Sequence, residues 1–198
     1  MVRASSAGLP ERLSAAADAP ILHSLVTAEL WSHGIGSICL SRELPGGSVA
    51  FSFFLVDRNC LGVKDVMTGI EPRSDYDDRL RDMRSRFDMQ ELSQATARHF
   101  VESAVAYARE LGLSPHPDYH RAKLIFGDID PAEATEDLEF GHDGMPYFVS
   151  GPFDDEARCR QILATLERAC GPGGYHYTVR VGPEEWDDED SPDSFDTN

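Results

Sequence analysis

The feature that most constrains the fold is a nearly unbroken apolar run, SVAFSFFLVD, at residues 48–57. A strand with one face in water alternates apolar and polar residues, whereas a strand covered on both faces is apolar along its whole length. The run has the length of a strand and is rich in aromatic and β-branched residues, which favours that interpretation. The sequence therefore predicts an interior strand here.

A second strand is predicted immediately before this run. Residues 35–43 fit a strand, and Pro45-Gly46-Gly47 follows. Proline presets φ for a turn, and glycine reaches positive φ without strain. We therefore predict a hairpin whose second strand is central in the sheet.

The other apolar patterns predict the elements around this hairpin. Helical spacing occurs in residues 20–33, 68–90 and 91–111 and after Asp154, the predicted N-cap of the final helix, and strand patterns occur in residues 145–150 and 175–181. Together they predict an α+β fold with a mostly antiparallel sheet of about four strands and helices packed on it.

The composition along the chain predicts one domain with polar ends. Residues 20–182 are assigned to a single α+β domain, since a chain of this length suits one core. Residues 1–19 are predicted to be a flexible leader, and residues 183–198 a disordered acidic tail.

The net charge of −17 bears on the class of partner. It opposes binding to nucleic acid and to anionic lipid surfaces at long range. The one dense basic group, Arg79 to Arg86, alternates with aspartates, so an ion-paired solvated face is favoured over a phosphate-contacting helix. No apolar run reaches the length of a membrane span, so no membrane partner is expected.

The cysteines indicate the compartment. Cys39, Cys60, Cys159 and Cys170 are scattered, without a CxxC pair. This pattern favours reduced thiols in the cytoplasm over a disulfide framework or a structural zinc site. The first residues also lack the apolar stretch of a secretory signal, which agrees with a cytoplasmic location.

The first candidate site follows the predicted central strand. Asp57, Cys60 and Lys64 lie within eight residues at a strand end, where a rigid sheet often positions catalytic groups. In a metal-dependent nuclease, Asp57 could hold the ion and Lys64 could stabilise the developing phosphorane charge. Alternatively, Asp57 caps a turn, Lys64 is solvated and Cys60 is a small buried side chain, which we favour over Cys60 as a nucleophile.

The second candidate site is the segment SPHPDYH. Pro117 favours an extended conformation for His116, and a strand period of two would place His116, Asp118 and His120 on one side. Two imidazoles and a carboxylate could hold a divalent metal. The competing interpretation makes Asp118 the N-cap of a short helix over residues 119–126. The two exclude each other, and the cap is favoured because such caps are common.

Two acidic stretches form the third set of candidates. Residues 127–144 contain seven carboxylates and no lysine or arginine, and FGHDG could present His142 and Asp143 to a site or simply form a tight turn. The carboxylate spacing lacks the ligand rhythm of an EF-hand, so no calcium site is predicted. The tail contains the candidate partner-binding residues Glu184, Glu185, Trp186, Asp187 and Asp188.

Three sequence blocks carry a resemblance. LVDRNCLGVKD, LGLSPHPDY and FGHDGMPYFVSGP resemble blocks of an uncharacterised bacterial protein family, over about residues 22–179. The resemblance implies no activity, cofactor or site residue.

Two function hypotheses follow from these patterns. The first is a non-enzymatic cytoplasmic accessory protein without a cofactor, which recognises a protein partner with a basic surface through the acidic segment and tail. The second is a metal-dependent hydrolase acting on phosphodiesters. Its site would be built from Asp57, Lys64, His116, Asp118 and His142, and it requires these separate segments to meet in one cleft. The net charge of −17 favours the hypothesis of an accessory protein.

Overall fold

The computed structural model describes residues 8–152 and 154–179. An antiparallel sheet in the order β4-β3-β2-β1-β5 forms its centre. Its strands are β1 (Ile21–Thr27), β2 (Ile35–Leu44), β3 (Ser48–Asp57), β4 (Gly62–Pro72) and β5 (Met89–Glu91). The α+β prediction is confirmed, but this sheet has five strands rather than about four.

The helices lie on both sides of the sheet. They are α1 (Leu9–Ala15), α2 (Glu29–Ser32), α3 (Arg73–Arg86), α4 (Gln94–Glu110), α5 (Tyr119–Ala122) and α6 (Glu156–Cys170), with 3₁₀ turns at Lys123–Phe126 and Pro131–Glu133. Two short parallel strands, β6 (Tyr147–Val149) and β7 (His176–Thr178), form a second sheet. No helix in the described part of the chain is both long and apolar enough to cross a bilayer.

The central hairpin is confirmed. Strands β2 and β3 pair from Ile35↔Asp57 to Leu44↔Ser48, and β3 also pairs with β4 on its other side. One face of β3, including Phe54, packs into the core formed with α4, and the other face, including Phe51, packs against α3. This double burial explains the uniform apolar character of the run.

The helix predicted over residues 20–33 is wrong. Residues 21–27 form β1, which pairs with β2, and only the short helix α2 follows. Leu25 packs in the core beneath α3, whereas Val26 packs in the core beneath α4. Successive side chains of a strand point to opposite faces, so Leu25 and Val26 can both be buried. The helix-like spacing of the apolar residues in this segment concealed that pattern.

The predicted flexible leader is wrong for part of its length. Helix α1 packs Leu13, with 0% exposure, and Ala16 follows it into the same core. Residues 1–7 lie outside the described residues, as does the predicted tail, including Glu184, Glu185, Trp186, Asp187 and Asp188.

Both long helices predicted beside the sheet are present, but the prediction is wrong at the ends of residues 68–90, since residues 68–72 belong to β4 and residues 89–91 form β5. Helix α4 begins at its cap Ser93, whose Oγ accepts from the Thr96 N–H at 3.0 Å, and it buries the predicted alanine and valine face. A Cβ on Gly62 would lie 2.7 Å from the carbonyl oxygen of Ala104, so small residues let α4 and β4 approach closely. On α3, ion pairs such as Arg81–Asp78 and Arg86–Asp82 confirm the solvated, charge-paired face.

Besides the cores on the two faces of the sheet, another core joins α6 to the end of the hairpin. It contains Cys60, Leu61, Phe148, Cys159 and Leu166. The cap of α6 is Asp155, whose Oδ1 accepts from the Arg158 N–H at 2.7 Å, so the sequence prediction of Asp154 as the cap is wrong by one residue. This core fixes α6 beside the N-terminal end of β4.

A buried arginine connects the sheet to the segments above it. Arg42 on β2 is 4% exposed, and its guanidinium donates to the carbonyl oxygens of Ile125 (2.8 Å), Ala19 (2.6 Å) and Phe126 (2.9 Å). The planar fork of arginine suits three divergent acceptors better than any other side chain. Arg42 thereby gives each of these carbonyls a side-chain donor, and the carbonyl oxygen of Phe126 also accepts from the Ile129 N–H at 3.2 Å.

We expect Arg42→Met to lower the free energy of unfolding by about 3 kcal/mol or more, because buried carbonyls lose charged donors. Urea unfolding of the full chain measures this change. Arg81→Met is the matched control, since its side chain is 74% exposed and should change stability by about 0.5 kcal/mol at most. Equal effects of the two substitutions would contradict a structural role for Arg42.

Candidate functional site

A cleft lies where β4 meets α6. Two adjoining cavities of about 320 and 470 Å³ share three lining residues, Lys64, His116 and Arg158. The walls are the start of β4, the loop over residues 113–117, the loop over residues 151–154 and the first turns of α6. The cleft thus collects basic side chains from segments far apart in the sequence.

A β-bulge places Lys64 in this cleft. The pairing of β3 with β4 runs Leu55↔Asp65 and then Val56↔Val63, so Lys64 is the extra residue without a cross-strand partner. A bulge bends the strand and redirects its side chain. The ammonium lies against the 151–154 loop, since a Cβ on Gly151 would be 3.7 Å from Lys64 Nζ. Within the described residues, Lys64 forms no ion pair.

His116 is held beside Lys64 by backbone and ring contacts. Its N–H donates to the carbonyl oxygen of Val63 at 2.9 Å, which anchors the loop to β4. Its Nδ1 accepts from the Asp118 N–H at 3.2 Å, so the proton of the neutral ring resides on Nε2. That nitrogen lies 3.7 Å from Oδ1 of Asp65. In this tautomer the ring presents its Nε2–H as a donor to the cleft, and the Asp65 carboxylate faces it.

Arg158 forms the opposite wall. Asp154, whose side chain is 11% exposed, accepts from the Gly151 N–H at 2.7 Å and pairs with Arg158 Nε at 2.8 Å. This carboxylate fixes both the loop and the guanidinium, while the Arg158 side chain remains 59% exposed. The cleft contains two permanent cations. Of its carboxylates, Asp154 is already bonded on both oxygens, and the side chain of Asp65 is 70% exposed.

Asp57 and Cys60 lie beneath the cleft rather than in it. Asp57 is 1% exposed, and its Oδ1 accepts from the N–H groups of Asn59 (2.9 Å) and Cys60 (3.1 Å), which closes the turn into β4. Its Oδ2 has no hydrogen-bond partner within residues 8–152 and 154–179. Burial raises the pKa of Asp57 to about 6, against the opposing effects of the Lys64 charge and of the backbone N–H groups of Asn59, Cys60 and Leu61.

Cys60 has the environment of a structural side chain. It is 0% exposed, and burial together with the charge of Asp57 raises the pKa of its thiol to about 12. All four cysteines carry free thiols. An inaccessible neutral thiol is a poor nucleophile, so the structure places Cys60 in the core as the favoured interpretation had it.

The predicted extended arrangement of the second site is wrong. Asp118 has helical dihedrals (φ −75°, ψ −6°), and α5 begins at the next residue. The carboxylate of Asp118 pairs with Arg121 at 3.0 Å and caps no N–H, so the N-cap position is correct but its hydrogen bond is missing. His120 is exposed and does not line the cleft. Nowhere in the described ranges do three or more His, Cys, Asp or Glu side chains group to hold a metal ion.

His142 and Asp143 lie away from the cleft. They form an exposed tight turn, in which the His142 N–H donates to the carbonyl oxygen of Met145 at 2.8 Å and Asp143 has a positive φ of 51°. Their side chains are 58% and 87% exposed and line neither cleft cavity. The segments that the hydrolase hypothesis required to meet therefore do so only in part. Lys64 and His116 line the same cleft, whereas His142 does not.

Sequence reasoning missed Arg158 and the loop around Gly151. Arg158 lies in the first turn of α6, and the sequence pattern of this helix drew attention to its apolar face and its cap rather than to its charged residues. The only local signal was the sequence GPFDDEAR, a glycine-proline break before an acidic cap and an arginine. No protein-family model, curated protein or solved structure matches the chain, so the resemblance to an uncharacterised bacterial family stays a prediction.

The buried carboxyl predicts a specific pH dependence. Because the pKa of Asp57 is raised from 3.8 to about 6, the folded protein binds this proton more tightly than the unfolded chain does. This group therefore makes the unfolding free energy fall as the pH rises from about 4 to about 6, by an amount on the order of 3 kcal/mol. Asp57→Asn should remove that component.

The measurement is urea unfolding of both proteins across this range, with their difference plotted against pH. The relative stability of Asp57→Asn should increase through the window and level off above it. In the Lys64→Met variant the unfolding free energy should go on falling to a higher pH than in the wild type, because Lys64 lowers the pKa of Asp57. In the Asp57→Asn background, Lys64→Met should leave the pH profile unchanged. A flat difference between wild type and Asp57→Asn would contradict the buried carboxyl assignment.

Proposed function

We propose that the protein binds a small ligand with a phosphate or carboxylate group in the cleft between β4 and α6. The observation that carries this proposal is Lys64, an ammonium placed by a bulge against Gly151 without an ion-pair partner in the described residues. Most arginines of the described part are paired with carboxylates, for example Arg73, Arg79 and Arg98. In a chain with a net charge of −17, a cation that lines a concave site without a salt-bridge partner in the described residues favours an anion.

The geometry assigns different roles to the three lining residues. Lys64 supplies a point charge inside the cleft, and Arg158 supplies a planar donor at the mouth that suits two oxygens of one anion. His116 supplies an Nε2–H donor beside them. A ligand held by Lys64 would meet this N–H, so in a hydrolytic activity on a phosphate ester His116 would donate a hydrogen bond to a phosphate oxygen. The hydrolase hypothesis thus continues on Lys64 and His116, without Asp118 or His142.

The chain offers a sharp test because it contains only two lysines, Lys64 and Lys123. Reductive methylation with ¹³C retains the positive charge and gives each lysine a side-chain NMR signal. We expect inorganic phosphate to shift the Lys64 signal saturably and to leave the Lys123 signal in place, because Lys123 lies over the Tyr119 ring, outside the cleft.

Matched substitutions identify the cleft. Lys64→Met and Arg158→Met should weaken phosphate binding about tenfold or more, the loss of one charged contact. Lys123→Met and Arg160→Met are the controls, since Arg160 lies on the same helix in an exposed pair with Glu156. Parallel movement of both lysine signals, or equal losses in all four variants, would refute a specific anion site.

A second candidate function is recognition of a basic protein partner, and one surface favours it. A groove of about 180 Å³ is lined by Trp31, Arg58, Phe100, Asp137, Leu138 and Glu139. Trp31 is 37% exposed and packs edge-on against Phe100 at 5.5 Å between ring centroids. An exposed indole beside two carboxylates suits the cationic side chain of a partner.

We expect a lysine- and arginine-rich peptide to change the fluorescence of Trp31. The chain has two tryptophans, so Trp186→Phe leaves Trp31 as the single reporter. The double substitution Asp137→Asn and Glu139→Gln should weaken binding about fivefold, from loss of two exposed charges. Asp82→Asn with Asp88→Asn, on and just beyond α3, is the charge-matched control. Unchanged fluorescence of the Trp186→Phe protein would exclude this groove.

A further inference from the structure

The described part of the chain ends beside the cleft. Strands β6 and β7 are parallel, with Val149 opposite Thr178, and the Ser150 N–H donates to the carbonyl oxygen of Thr178 at 2.9 Å. Parallel strands leave a sheet at the same end. After β6 come Ser150 and then Gly151 and Pro152, and the last two line the cleft. The chain after Thr178 is therefore directed toward the same wall.

The segment beyond this point has a charge opposite to that of the cleft. Residues 184–196 contain eight carboxylates and no lysine or arginine. Four residues lie between Val179 and Glu184, so the two Cα atoms are at most about 18 Å apart when the chain is extended. Lys64 and Arg158 are cations on the wall beside which the described chain ends, whereas much of the remaining surface is acidic.

We propose that the acidic segment 184–196 occupies the cleft of its own chain and competes with the anionic ligand. Its carboxylates are the kind of group that the cleft is suited to bind, so the segment is a tethered competitor. Tethering gives it an effective concentration in the millimolar range, at which weak contacts suffice for high occupancy. The basic surface recognised by the tail is then the protein's own cleft. This inference rests on the proposed anion site.

The test uses the full chain with four tail charges removed: E184Q, E185Q, D187N and D188N. The control removes four charges from the other acidic segment, with E133Q, D137N, E139Q and D143N. Both variants change the net charge by the same amount, so a general electrostatic effect appears in both. The ¹³C-methyl signal of Lys64 reports occupancy without ligand, and titration with inorganic phosphate gives the affinity.

We expect the tail variant alone to shift the ligand-free Lys64 signal and to bind phosphate about five- to tenfold more tightly, which corresponds to a cleft that is 80 to 90% occupied. Equal tightening in both variants would overturn the proposal, as would an unchanged tail variant. A shift that grows with protein concentration would assign the tail to the cleft of a second copy and also overturn it.

The outcomes separate this inference from the anion site itself. If phosphate binds all variants equally through Lys64, the result supports the anion site and refutes the contact between the tail and the cleft. If phosphate moves the Lys64 signal in no variant, but neutralising the tail moves it without ligand, the tail contact stands and the proposed function falls.

Discussion

The short connection between β3 and β4 is the constraint on which the cores and the cleft depend. Four residues, 58–61, turn the chain back, and the Asp57 carboxylate holds this turn by accepting two of its N–H groups. The outward carbonyls of Arg58 and Asn59 accept from the N–H groups of Gly141 and Tyr147, each at 2.9 Å. The turn therefore carries the C-terminal sheet and, through it, α6. Without this turn, the fold would not bring Lys64 and Arg158 to the same cleft.

The same turn concentrates unfavourable electrostatics in one place. A carboxyl group with 1% exposure and one unpaired oxygen lies below a lysine that has no ion-pair partner in the described residues. Burial penalises the charged form of this carboxyl group, and the charge of Lys64 offsets part of that penalty. Local violations of the general rules of stability cluster at functional sites, where the rest of the fold compensates for them. The interior of β3 and the Arg42 network provide that compensation here.

The sequence predicts the parts of this fold whose signals are local. The predictions of the β2–β3 hairpin and of α4 are correct, because a continuous apolar run and a one-sided helical face each favour a single kind of structure. Strand β1 was mistaken for a helix because Leu25 and Val26 serve different cores, which only the tertiary structure reveals. The cleft shows the same limit. Lys64 and His116 were recognisable as candidates, but the bulge that redirects Lys64 and the partner Arg158 depend on strand register and on packing across the chain.

Under the proposed function, the charge distribution would also restrict which anions the cleft binds. A small ligand would contact Lys64, His116 and Arg158 at short range, where salt screens little, whereas the more distant carboxylates of the chain would act over distances comparable to the Debye length of about 8 Å at physiological salt. A polyanion such as nucleic acid must cover the acidic surroundings and meets the net charge of −17 along its whole length. In the proposed site, a local attraction for one anionic group would be combined with a long-range repulsion of extended polyanions, and this difference would favour a small ligand over a nucleic acid.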